Sequence, residues 1–210
     1  MNYSCYIFDF DYTLVNSEDG IIGCFIETMK DFQLPISDRD AIRATIGMPI
    51  EDAITLLTGL TGNRMESFLN TYRRHADTMM TPNTHFFPDT IDTLKRIKND
   101  GGIIAIVSTK TRNRINEKFV QDGYDHLIDI IIGREDITAC KPDPQGINMA
   151  LDKLNMQRSQ AIYIGDSIYD AGAAQNAGIS FAAVLTGTTD SQQFSAYPSV
   201  QMMSALSELK

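Results

Sequence analysis

Cysteine is scarce in this chain, and the three present, Cys5, Cys24 and Cys140, are widely separated and odd in number. That spacing argues against a disulfide framework and against a cysteine-held zinc cluster. No apolar run approaches the length of a membrane span, and no basic segment with an apolar run opens the sequence. The expected setting is therefore cytoplasmic, with no membrane partner. Positive charge is also in deficit: 18 basic against 27 acidic side chains give a formal charge of -9, which disfavours nucleic acid as a partner. An anionic substrate then needs a local positive trap, and a divalent cation among clustered carboxylates supplies one. A Walker loop, a dinucleotide fingerprint and a Ser-His-Asp arrangement are missing too. His75, His85 and His126 form no metal motif.

What is present is a series of short apolar runs, each ending in polar residues. Cys5 to Phe8, Gly102 to Val107, Leu127 to Ile132, Ala161 to Ile164 and Phe181 to Leu185 predict strands, because β-branched and aromatic residues dominate and the runs are too short for helices. Helical patterns lie between them, starting near Pro88, Thr111, Asp143-Pro144 and Asp170, with a last helix expected over Val200 to Leu209. Continuous apolar strands alternating with helices predict an α/β fold with a parallel sheet covered on both faces. Ligands of such sheets gather beyond the carboxyl ends of the strands. Residues 17–81 break the alternation with three candidate helices, Gly20 to Phe32, Ile50 to Leu57 and Asn63 to Met80. They are too many for a loop. The expectation is an α/β core over 1–16 and 82–210 with a helical insert over 17–81, hinged near Asn16 and Pro82.

The first strand delivers two carboxylates, Asp9 and Asp11, into a turn. Buried charges that close are costly unless a cation or a chemical task holds them. An ionised carboxylate suits a nucleophile, and a protonatable neighbour suits a proton donor to a leaving oxygen. Gly165-Asp166-Ser167-Ile168-Tyr169-Asp170 places a second pair at four-residue spacing on a starting helix. Magnesium takes hard oxygens in an octahedron, and Asp9, Asp166 and the Asp11 carbonyl are the candidate protein ligands. Ser108 and Thr109 end the second strand where a helix start can hold an anion or simply be capped. Lys141 is set in an extended backbone by Pro142 and can bring a positive charge to the same crevice.

Together, Asp9-Phe10-Asp11-Tyr12-Thr13, the strand ending in Ser108-Thr109, Lys141-Pro142 and Gly165-Asp166-Ser167-Ile168-Tyr169-Asp170 resemble the haloacid dehalogenase-like phosphohydrolases, nearest the phosphoglycolate phosphatase and beta-phosphoglucomutase group. The resemblance implies a Rossmann-like core sheet of order 3-2-1-4-5 with an inserted helical cap. It also implies Asp9 as nucleophile and magnesium ligand, and Asp11 as general acid and base with its carbonyl on the metal. Asp166 becomes a further ligand, Asp170 a supporting carboxylate, and Ser108, Thr109 and Lys141 phosphate-positioning residues. Tyr12 stands where relatives commonly carry glycine, which suggests that this turn does not need a left-handed backbone.

The implied activity is magnesium-dependent hydrolysis of a small phosphorylated metabolite through a phosphoaspartate, by a monomer or homodimer. A phosphomutase is the enzymatic alternative, and a protein that only binds phosphorylated metabolites the non-enzymatic one. Cap candidates for leaving-group selection are Arg39, Arg43, Arg64, Arg73 and Arg74, together with Gly47 in the turn before Pro49.

Overall fold

A computed structural model describes residues 3–210, so residues 1 and 2 of the expected core lie outside the described residues. In chain order the regular elements are β1 (Cys5–Phe8), β2 (Val15–Asn16), α1 (Glu18–Asp31), α2 (Arg39–Arg43), α3 (Ile50–Thr58), α4 (Gly62–Met79), β3 (His85–Phe86), α5 (Thr90–Asn99), β4 (Ile103–Val107), α6 (Arg112–Gln121), β5 (Ile130–Ile132), α7 (Gln145–Leu154), β6 (Ala161–Gly165), α8 (Ile168–Ala177), β7 (Ser180–Val184), α9 (Ser191–Phe194) and β8 (Gln201–Met203). The chain forms two compact units, one of Met1–Asn16 with Phe86–Lys210, the other of Ser17–His85.

The first unit is built on a six-stranded parallel sheet ordered β5-β4-β1-β6-β7-β8. Side chains alternate along each strand, so each strand feeds two cores. Ile7, Ala105, Val107, Tyr163, Phe181 and Ala183 face α7 and α8 through Ile147, Leu151 and Ala174. Phe8, Ile104, Ile106, Ile162, Ile164 and Val184 face the other way, with Leu94 and Ile97 of α5 and Ile115 and Phe119 of α6. β1 is central, and its Phe8 pairs with Ile106 of β4 and Ile164 of β6. The residues that follow these strands therefore emerge side by side.

The second unit is helical. Phe25 of α1 stacks on Tyr72 of α4 at 4.9 Å between ring centroids, and Phe68 of α4 meets Phe32 at 5.2 Å. Its α2 is a single short helix that the sequence pattern did not predict. Asp38 caps it by accepting the Ala41 N–H at 2.7 Å.

Several sequence expectations are corrected. Val200 to Leu209 is not a helix: Gln201–Met203 form β8 beside β7, followed by one tight turn over Leu206–Glu208. The strand leaves Met202 exposed and buries Met203, a period of two that the short segment hides. Leu127 belongs to a turn, and the third core strand starts only at Ile130. The helix expected from Asp143-Pro144 begins at Gln145, whose N–H donates to Asp143 Oδ1 at 2.9 Å. The helical unit runs to His85 rather than to residue 81.

Tyr12 is the sharpest correction, because its φ is +59°, in the left-handed region. The turn demands it. Within four residues the chain reverses so that Tyr12 N–H donates to Val15 O at 2.8 Å and Leu14 N–H to Phe10 O at 2.9 Å. A non-glycine residue there costs about 1–2 kcal/mol. The Tyr12 ring is only 3 % exposed, and its carbonyl accepts the Thr186 hydroxyl. Burial of the ring offsets the backbone cost, so tyrosine serves in this turn.

Candidate active site

β1, β4 and β6 end next to one another, and each end is followed by a polar side chain. Asp9 follows β1, its backbone N–H donating to Ile164 O at 2.9 Å. Ser108 follows β4, its N–H donating to Ile132 O at 3.1 Å, and Asp166 follows β6. Asp9, Asp11, Ser108, Lys141, Asp166 and Asp170 are all buried. Carboxylate oxygens of Asp9, Asp166 and Asp170 lie within 4.8 Å of one another.

Lys141 holds this cluster together. Its ammonium donates to Asp170 Oδ1 at 2.6 Å and to the Tyr163 hydroxyl at 3.2 Å. It also stands 3.0 Å from Asp9 Oδ1. That last contact is close in distance but poorly directed, and Asp9 Oδ1 accepts no hydrogen bond. Tyr163 in turn donates to Val107 O at 2.8 Å, which ties the lysine to the strand that delivers Ser108. The second Asp170 oxygen accepts the Ser167 N–H at 3.0 Å and the Ser167 hydroxyl at 2.6 Å. Asp170 is thus a saturated acceptor that caps α8 and fixes Lys141.

The electrostatics follow from burial. Loss of water pushes the Asp9 carboxyl up to about 6, and Asp170 and Asp11 add to this against the pull of Lys141. Burial, then Asp170 and Asp9, push Asp166 well above the ordinary range, although the Thr13 hydroxyl donates to its Oδ1 at 3.1 Å. Burial works against the Lys141 ammonium, but Asp170 and Asp9 outweigh it and raise its pKa well above the ordinary lysine value. Burial keeps Tyr163 protonated.

The residues present fit a divalent cation. Asp9 offers a buried oxygen with no donor. Asp166 lies nearby, and burial, with the neighbouring carboxylates, pushes both carboxyls upward. Asp170 lies within the same radius, but its oxygens already accept from Lys141 and from the Ser167 N–H and hydroxyl.

A family model described as "Haloacid dehalogenase-like hydrolase" matches residues 6–184. The chain belongs to that family. Among solved structures it resembles a haloacid dehalogenase-like hydrolase from Bacteroides fragilis, at 43 % identity and TM-score 0.95 over 99 % of this chain and 100 % of that one. It is also similar to Pyrophosphatase PpaX of Bacillus velezensis, 27 % identical over 97 % of this chain and 93 % of that protein. The pyrophosphatase of the same name from Listeria monocytogenes is 30 % identical over 81 % of this chain and 78 % of that protein. With its buried aspartate cluster, the chain is a haloacid dehalogenase-like phosphatase, and no helix among its described residues is long and apolar enough to cross a membrane.

Of the residues singled out in the sequence, Asp9, Asp11, Ser108, Lys141, Asp166 and Asp170 come together at the strand ends of the first unit, and Thr109 follows Ser108 in the same turn. Arg39, Arg43, Gly47, Arg64, Arg73 and Arg74 lie in the second unit. There Arg39 pairs with Asp19 at 2.6 Å and Arg43 with Glu18 at 3.2 Å. Arg74 donates to the Thr71 hydroxyl at 2.9 Å, and Arg64 and Arg73 are exposed on α4. Gly47 adopts φ +96°.

Sequence reasoning missed four contributors. Lys110 donates to both Asp11 oxygens, at 2.7 and 3.1 Å. Tyr163 was read only as strand apolar content, and Thr13 only as part of a motif. Gly187 packs so closely on Asp166 that a Cβ there would collide with Oδ2. Only Lys110 carried a signal, as a cation two residues after a strand-end serine.

Proposed function

We propose that this phosphatase hydrolyses small phosphate monoesters through a phosphoaspartate on Asp9. The observation that carries the reading is the buried Asp9 carboxylate, whose Oδ1 accepts no well-directed hydrogen bond although the fixed Lys141 ammonium stands 3.0 Å away.

In the proposed first step an Asp9 oxygen forms a bond to phosphorus as the bond from phosphorus to the leaving oxygen breaks. Asp11 gives its proton to that leaving oxygen. In the second step Asp11 takes a proton from water, whose oxygen attacks phosphorus and releases inorganic phosphate and the Asp9 carboxylate. Lys141, held by Asp170 and Tyr163, offsets charge on the phosphoryl oxygens, and the Ser108 hydroxyl donates to one of them. Magnesium would be held by the Asp9 and Asp166 carboxylates with the Asp11 carbonyl. When bound, it supplies positive charge to the transferring phosphoryl group and holds it in line.

The test is a magnesium-dependent screen of phosphorylated metabolites that reports both phosphate and organic product, run with wild type and Asp9→Asn. Phosphate release that vanishes in the variant, with a labelled acyl phosphate trapped on the wild type, is the expected result. Full turnover by pure Asp9→Asn defeats the nucleophile assignment. An isomeric sugar phosphate without phosphate release assigns a phosphomutase instead, and ligand binding without any turnover assigns a binding protein.

A further inference from the structure

Phenylalanine would fill the space that Tyr163 takes in the core, so the hydroxyl calls for a reason of its own. The side chain is fully buried, in the apolar cluster that holds Ile7, Ala105, Val107 and Ile147. Tyr163 of β6 pairs with Ile7 of β1, and Ile7 pairs in turn with Ala105 of β4. The ring therefore spans the width of β1, and its hydroxyl donates to Val107 O at the end of β4 at 2.8 Å. That bond uses its single hydrogen. Its oxygen is left to accept, and Lys141 Nζ lies 3.2 Å away.

An ammonium has three donor hydrogens. Lys141 gives one to Asp170 Oδ1 at 2.6 Å and one to the Tyr163 hydroxyl. Both acceptors are themselves fixed, Asp170 by the Ser167 N–H and hydroxyl, and Tyr163 by Val107. Together they set the direction of the ammonium, and Asp9 Oδ1, although only 3.0 Å from Nζ, accepts no hydrogen bond. Deleting the phenolic oxygen changes this balance. A buried ammonium hydrogen without an acceptor is costly, and Asp9 Oδ1 is the untaken acceptor already in reach. A hydrogen bond there draws charge from the carboxylate and makes it a poorer nucleophile.

We infer that Tyr163 is a positioning residue: its hydroxyl, anchored on Val107, holds the Lys141 ammonium off Asp9 and so keeps that carboxylate ready to attack phosphorus. The inference rests on the proposed nucleophilic role of Asp9. It also separates the two steps of the reaction. Attack by Asp9 needs an unengaged oxygen, whereas in the second step water attacks and the Asp9 oxygen departs, so an ammonium beside it does no harm.

The experiment follows labelled para-nitrophenyl phosphate by rapid quench in magnesium, with wild type and Tyr163→Phe. Nitrophenolate departs without a proton from Asp11, so the rise of acyl phosphate reports attack by Asp9 and its decay reports attack by water. Both are first-order constants, which do not depend on how much of the protein is folded. The expected result is a rise at least about tenfold slower in Tyr163→Phe, with the decay changed by less than about twofold. A general loss of Lys141 alignment slows both steps alike; that result, or an unchanged rise, overturns the inference and leaves the phosphatase reading standing. Absence of acyl phosphate in the wild type defeats the nucleophile reading and the inference with it.

A second measurement needs no turnover: the crystal structure of metal-free Tyr163→Phe. Lys141 Nζ turned onto Asp9 Oδ1 in a well-directed hydrogen bond is expected. An ammonium that keeps its wild-type place overturns the inference whatever the kinetics.

Discussion

Asp9→Asn should make the metal-free protein more stable while removing its activity. The Asp9 carboxyl is pushed from 3.8 up to about 6 by burial, with Asp170 and Asp11 adding to the effect. A group raised in the folded state stabilises it fully only below its unfolded value, and that contribution is lost as pH rises through the folded value. At pH 7.5 the ionised Asp9 therefore costs the metal-free fold about 3 kcal/mol. Asparagine keeps the shape and removes the charge, but it also weakens the attraction of Lys141, so a net gain of about 1–3 kcal/mol is expected. For a chain of this length that raises Tm by about 3–10 °C. The assay is thermal unfolding of both proteins in a strong chelator from pH 7.5 down to pH 4.5, followed by added magnesium. Asp9 takes up its proton over this range, so the gap should shrink to about a third at the acid end. Magnesium at pH 7.5 should raise the wild type more than the variant. A variant that melts below the wild type in chelator at pH 7.5, or a gap that does not narrow with acid, refutes the reasoning.

Three further substitutions probe the supports of the site. Gly187→Ala puts a methyl group into the Asp166 carboxylate and should weaken magnesium binding about 10–100-fold by calorimetry with little change in fold. Tyr163→Phe deletes the hydroxyl that donates to Val107 O and accepts from Lys141. It should cost about 1–3 kcal/mol in denaturant unfolding and lower kcat more than it raises KM, since Lys141 loses its alignment rather than its charge. Tyr12→Gly relieves a left-handed backbone but empties a buried ring site. Loss of the ring, at about 3–5 kcal/mol, should exceed the backbone gain of about 1–2 kcal/mol, so the variant unfolds at lower denaturant.

Legibility in the sequence followed the length scale of the signal. The strands of the first unit showed because each is a continuous apolar run, the pattern of a sheet covered on both faces. The acidic residues showed because each follows such a run. Gln201–Met203 was misread because three residues give no period, and only pairing with Ala182–Val184 makes them a strand. Tyr12 was misread because the sign of φ is set by hydrogen bonds that close the turn, not by the identity of one residue. Lys110, Thr13, Tyr163 and Gly187 act through partners about 20 to 150 residues away or through a register of strands, and a linear pattern carries neither.

The charges at the strand ends explain why two lysines and a metal would be needed together. Asp9, Asp11, Asp166 and Asp170 face Lys110 and Lys141, so the cluster carries two formal negative charges more than positive ones. A phosphoryl group brought beside it is repelled, and burial together with the neighbouring carboxylates pushes Asp9 and Asp166 upward at the same place. A third lysine in that place would restore only half of the missing charge and would hydrogen-bond the very oxygen that has to attack. A divalent cation held by Asp9 and Asp166 would restore all of it without donating a hydrogen to the attacking oxygen. Asp170 is withdrawn from that role by Lys141 and Ser167. One saturated aspartate thus fixes the Lys141 ammonium, Asp9 and Asp166 are the carboxylates that would hold a metal, and Lys110 is paired with Asp11.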